Sequence, residues 1–116
     1  MRIAFDIDDT ILVPSIANTD NGGQNTPNYE VIAIYKWFQA QGHTMILWSG
    51  SGKDWAKTWG EKFGLNPDAI LTKEKEGNCI DIAFDDCDVD LAKVNVKVKR
   101  INNGISRADW NKNKHV

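Results

Sequence analysis

The feature that most constrains this chain is a short apolar run that stops abruptly on acids. Ile3-Ala4-Phe5 is followed by Asp6, Ile7, Asp8 and Asp9. A short apolar run bounded by charge reads as a buried strand, here Arg2 to Ile7, that delivers Asp6, Asp8 and Asp9 to its carboxyl end. Residues two apart on an extended segment point the same way, so Asp6 and Asp8 are expected to face one site while Ile7 packs inward. The pattern recurs along the chain. Thr44 to Trp48 is a second strand ending at Ser49-Gly50-Ser51-Gly52, Ala69 to Thr72 a short third, and Ile80 to Phe84 a fourth ending at Asp85-Asp86. Val94 to Ile101 sets Val94, Val96 and Val98 on one face and Lys97 and Lys99 on the other, which predicts an edge strand.

Two helical patterns separate these strands. Thr26-Pro27 reads as a helix start, with Thr as N-cap, Pro at the first helical position and Glu30 near the positive end of the dipole. Gly42 is the matching stop, and Val31, Ile34, Tyr35 and Phe38 repeat at helical spacing to give one buried face. A second helix from about Lys53 to Phe63 carries Trp55, Trp59 and Phe63 on one stripe and is closed by Gly64 and Pro67. Aromatics at that spacing read as core. Alternating strands and helices predict an α/β fold, a three-layer, doubly wound, mainly parallel sheet with helices on both faces. The 116 residues suit one domain able to bury a core without disulfide or metal staples. Residues 12–25 form a polar loop placed to act as a flap, within a loop reading that extends to Asn28, and residues 102–116 a polar tail.

Charge and cysteine usage narrow the class. With 14 basic and 16 acidic residues the net charge is -2, which favours neither general nucleic-acid binding nor membrane adsorption. Cys79 and Cys87 have no zinc or disulfide-framework spacing. Asp6 arrives before any apolar run long enough for a signal peptide, and no stretch approaches a membrane span, so a cytoplasmic location is expected. The net charge hides an asymmetry. In the last stretch Lys93, Lys97, Lys99, Arg100, Arg107, Lys112 and Lys114 face only Asp109, a stripe that suits a nucleic-acid end or else guards a sheet edge.

In a parallel sheet of this kind ligands sit outside the carboxyl ends of the strands, which here carry Asp6, Asp8, Ser49, Asp85 and Asp86. Converging carboxylates repel unless a cation neutralises them, and a hard divalent ion such as magnesium (Mg2+) is the simplest solution. Phe5-Asp6-Ile7-Asp8-Asp9-Thr10-Ile11 resembles the first motif of the haloacid dehalogenase superfamily, an apolar strand followed by Asp-x-Asp-x-Thr. Met45-Ile46-Leu47-Trp48-Ser49 is similar to its second motif and Ile82-Ala83-Phe84-Asp85-Asp86 to its fourth. The third is a lysine before that strand, either Lys73 or Lys75, with Lys73 favoured because it directly follows Thr72. The likeness spans roughly residues 2 to 92.

The resemblance implies a capless, magnesium-dependent phosphatase acting on a phosphorylated small molecule or nucleic-acid end. Asp6 is then the nucleophile that forms an aspartyl-phosphate, and Asp8 the acid and later the base. Asp6, the Asp8 backbone carbonyl and Asp85 would hold the metal, with Asp86 assisting or sharing the role. Ser49, the Gly50 N–H and Thr10 would contact the phosphoryl group, and Lys73 would offset charge. Asp9 belongs to a turn, and local backbone bonding accounts for Thr10 equally well. Two other classes fit parts of the pattern, a receiver-like phosphoacceptor domain and a catalytically silent magnesium- and phosphate-binding interaction domain.

Overall fold

The computed structural model describes residues 1–14 and 25–101. Its elements run β1 (Arg2–Phe5), β2 (Leu12–Val13), β3 (Thr26–Pro27), α1 (Tyr29–Ala40), β4 (Thr44–Leu47), α2 (Lys53–Lys62), β5 (Ala69–Ile70), β6 (Ile82–Asp85) and β7 (Val94–Lys97). Five strands form one sheet in the order β5-β4-β1-β6-β7, with every neighbouring pair parallel. The chain thus builds outward from β1 to β4 and β5, then crosses back to β6 and β7 on the other side. In open parallel sheets such a reversal of strand order marks the place where a ligand crevice forms, here the carboxyl ends of β1 and β6.

The two faces of the sheet are covered differently. Ile3, Phe5, Met45, Leu47 and Phe84 pack with Val31 and Tyr35 of α1 and with Ala56 and Trp59 of α2. Ala4, Ile46 and Ala83, which alternate with those residues, pack instead with Trp48, Ile80 and Ala92, flanked by Leu71 and Leu91. Both helices therefore lie on one face, as expected when two crossovers of the same hand advance in the same direction. Helices on both faces, and hence three layers, are not found among the described residues. The second face is closed by the connecting segments 71–81 and 86–93, and the small side chains Ala4 and Ala83 let backbone approach there.

Local chemistry moved several boundaries. Asn28 caps α1, its side chain accepting from the Val31 N–H at 3.4 Å, and Thr26-Pro27 instead forms β3, paired antiparallel with β2. Asn is at least as good a cap as Thr, and its own N–H is held by the Ile11 carbonyl at 2.7 Å. The segment expected to be all loop from Pro14 to Asn28 therefore contains a strand, while residues 15–24 of the expected flap lie outside the described residues. Ile34 is exposed and Ile32 takes its place against the core, so the buried face of α1 is turned towards Ile32. Gly42 and Gly64 adopt the left-handed φ of +86° and +63° that terminates each helix. The edge strand β7 stops at Lys97, and Val94 and Val96 are exposed because α1 and α2 sit over the other half of the sheet. Only Val98 reaches the core. No described helix is long and apolar enough to cross a membrane.

Asn28→Ala should lower the unfolding free energy by about 1 kcal/mol and Asn28→Asp by only a few tenths, read by denaturant titration. Equal losses in the two variants would show that the Asn28 side chain does not act as a cap.

Candidate active site

The register of two strands places two acids side by side. β1 and β6 pair with Phe5 opposite Phe84, whose rings stack at 4.4 Å and 6°, and the Asp6 N–H continues the ladder to the Phe84 carbonyl at 3.0 Å. Asp6 and Asp85 follow those phenylalanines directly, and both are buried. Lys73 lies across them, its Nζ 3.1 Å from Asp6 Oδ1 and 2.6 Å from Asp85 Oδ2. The remaining oxygens are held locally. Thr10 Oγ1 donates to Asp6 Oδ2 at 3.2 Å, and the Cys87 N–H donates to Asp85 Oδ1 at 3.0 Å. Asp85 Oδ2 is buried with no hydrogen-bond donor assigned to it, and its charge is offset by the Lys73 ammonium.

The electrostatics follow from this packing. Burial first, then the Asp85 charge, push Asp6 up to about 8 despite Lys73 and its hydrogen bond, with Asp86 adding to the rise. Burial works against the Lys73 ammonium, but Asp6 and Asp85 outweigh it and hold Lys73 above its ordinary value. The segment that presents Lys73 is tied down by Asn78, whose amide donates to the Thr72 and Glu74 carbonyls at 3.1 and 2.9 Å. Asn78's own carbonyl accepts from Arg2 Nε at 3.0 Å. Lys75, the other candidate, points away to Asp90 on the surface.

Beyond Asp6 the chain turns rather than extends. The strand ends at Phe5, the N–H groups of Thr10, Ile11 and Leu12 all converge on the Ile7 carbonyl, and Asp9 takes a left-handed φ of 63°. A turn, not strand alternation, thus positions Asp8, and Asp9 is part of that turn as expected. Asp8 is half-buried, and its Oδ1 accepts a hydrogen bond from the Trp55 indole Nε1 at 3.3 Å. Thr10 is fully buried, and its hydroxyl bond to Asp6 positions that carboxylate.

At the end of β4, the Trp48 N–H still pairs with the Phe5 carbonyl at 3.2 Å, which sets Ser49 beside the end of β1. Ser49 is buried. Its Oγ accepts from the Ser51 N–H at 3.0 Å and its carbonyl from the Gly52 N–H at 3.1 Å, leaving the hydroxyl hydrogen to donate. Neither bond uses the Gly50 N–H, and Gly50 is exposed.

Asp86 is clamped by Arg100, Nε to Oδ2 at 2.8 Å, and Arg100 Nη2 also reaches Cys87 Sγ at 3.4 Å. Part of the basic stripe is offset by carboxylates. Lys93 pairs with Asp81 and Lys97 with Asp88, carboxylates of neighbouring segments rather than of the stripe itself. Arg107, Asp109, Lys112 and Lys114 lie outside the described residues. Trp55, Asn78 and Arg100 were not singled out for the site from sequence; an Asn after the positive-φ Gly77 was the one local turn signal.

A small, hard divalent cation fits this donor set. Asp6, Asp85 and Asp86 supply oxygens, one of them buried without a hydrogen-bond partner, and three carboxyl groups stand against the two cations Lys73 and Arg100. The Asp85-Asp86-Cys87 cluster brings its ligand atoms within 4.8 Å of one another, but burial and Asp86 push the Cys87 thiol up, which keeps it a poor ligand. No family model, curated protein or solved structure matches the chain.

A carboxyl raised in the fold binds its proton more tightly folded than unfolded. Asp6 therefore subtracts stability progressively from its ordinary value of 3.8 up to about 8. Without divalent cations, Asp6→Asn should melt above wild type at pH 8 and level with it near pH 4; a difference independent of pH would contradict the raised carboxyl.

Proposed function

We propose that this chain is a phosphomonoesterase of the haloacid dehalogenase type, working through an Asp6 phosphoenzyme with magnesium. The observation that carries the reading is the buried Asp6–Lys73–Asp85 row at the crevice, with Asp8 one turn away and Ser49 beside it. An Asp6 carboxylate oxygen attacks phosphorus, the ester P–O bond breaks, and the proton of Asp8 passes to the departing oxygen to give the alcohol. Asp8, now a carboxylate, takes a proton from water, whose oxygen attacks phosphorus and displaces Asp6. Inorganic phosphate leaves, and both aspartates return to their starting states. Lys73 opposes the rise that burial and Asp85 impose on Asp6 and faces the charge that builds on the phosphoryl group.

The Ser49 hydroxyl and the Gly50 N–H are the donors for phosphoryl oxygens on the β4 side. When bound, magnesium neutralises the converging carboxylates and polarises the phosphoryl oxygens. Asp6, Asp85 and the Asp8 carbonyl would hold it, with Asp86, already charge-balanced by Arg100, beside them. The ion pairs of Lys93 and Lys97 reduce the case for a polyanion, so the preferred substrate is a small phosphomonoester, with phosphorylated oligonucleotide ends as the comparison.

Purified protein should hydrolyse p-nitrophenyl phosphate with magnesium and stop on chelation. Asp6→Asn should lower kcat by roughly 10³-fold or more. Lys73→Met should cost roughly 10²-fold. Full activity in Asp6→Asn, or turnover indifferent to chelation, would overturn the reading.

A further inference from the structure

The indole of Trp55 has a place in the site that helical patterning did not foreshadow. Its Nε1–H points at Asp8 Oδ1, 3.3 Å away, from the first turn of α2. That turn is fastened to the Ser49 loop by the Gly52 N–H to the Ser49 carbonyl and by the Ala56 N–H to the Gly52 carbonyl. The ring is held as well. Trp55 meets Trp59 edge-on at 5.7 Å, and Trp59 in turn packs on Phe63 at 5.3 Å, so three aromatic residues fix the direction of the N–H. Asp8 itself sits in a turn beyond β1 and is half-buried, so strand geometry does not set the direction of its side chain.

We propose that Trp55 is a positioning residue for Asp8, holding its carboxyl in one orientation toward the leaving group. An indole N–H donates and never accepts, so the ring engages Asp8 through its Oδ1 oxygen. Rotation of the carboxyl away from the leaving group would break that bond. Because the same turn of α2 holds the Ser49 loop, the phosphate-gripping donors and the acid are kept in one register. This inference rests on the phosphatase reading and adds to it a source for the acid's orientation.

The test compares two esters by kcat/KM, which covers the steps through departure of the leaving group. An alkyl phosphate such as glycerol phosphate needs a proton on its leaving oxygen, whereas p-nitrophenolate departs readily without one. Trp55→Phe, which keeps a ring against Trp59, should lower kcat/KM for the alkyl ester by about 10- to 100-fold and for the nitrophenyl ester by several-fold less. In an Asp8→Asn background the same substitution should cost little more. Equal losses on both esters, or an undiminished loss in the Asp8→Asn background, would overturn the inference while leaving the phosphatase reading intact. Silence of wild type toward both esters would overturn both. Should Trp55→Phe fail to fold, the Trp55 indole N–H resonance of the wild-type ring decides the matter, moving upfield in Asp8→Asn if the bond exists and standing still if it does not.

Discussion

Two carboxylates cannot be buried next to each other without a cation between them, and the site is organised around that requirement. The parallel register that stacks Phe5 on Phe84 makes the adjacency of Asp6 and Asp85 unavoidable. Lys73 is the described cation that answers both. Its delivery explains features that otherwise look incidental, namely the Asn78 clamp on the segment after β5 and the Arg2 contact that anchors the clamp to the start of β1. Lys73 offers one charge where two carboxylates stand, while Arg100 answers Asp86. Burial above all, and then the Asp85 charge, raises Asp6.

The neighbouring acids are treated in opposite ways. Asp86 is satisfied by a near-permanent guanidinium, which makes it a structural charge. Asp8 accepts a hydrogen bond from the Trp55 indole, a neutral donor that orients its carboxyl. Asp6 and Asp8, two residues apart, are thus reached by different elements, Asp6 by Lys73 from the segment after β5 and Asp8 by the first turn of α2.

Much of this arrangement was legible in the residues. Apolar runs ending in acids marked β1 and β6, and their carboxyl ends hold Asp6 and Asp85 because strand type follows from side-chain pattern. What could not be read was set by longer-range geometry. Asn28 and Thr26 are both good caps, and the choice between them depends on β3 pairing with β2, which no local rule contains. The side on which each crossover travels decides that both helices share a face, and sequence alternation is the same either way. Trp55 was taken for core because its ring is core; only its nitrogen belongs to the site, and a single side chain doing both leaves no separate mark in a helical stripe. The basic stripe looked unopposed because its carboxylate partners Asp81, Asp86 and Asp88 sit on other segments.

The uneven dress of the sheet also bears on how the molecule assembles. Apart from the small β2–β3 pair, β1, α1, β4, α2 and β5 follow one another along the chain, and their strands are neighbours in the sheet, so their contacts close shorter loops than the β1–β6 pairing does. β6 must travel back past β4 to reach β1, and it brings Asp85 with it. The meeting of like charges is thereby postponed until a hydrophobic platform already exists to receive Phe84. The chemistry-bearing crevice is then the last seam to close in folding and, by the same geometry, the first place where a transient opening would let solvent in.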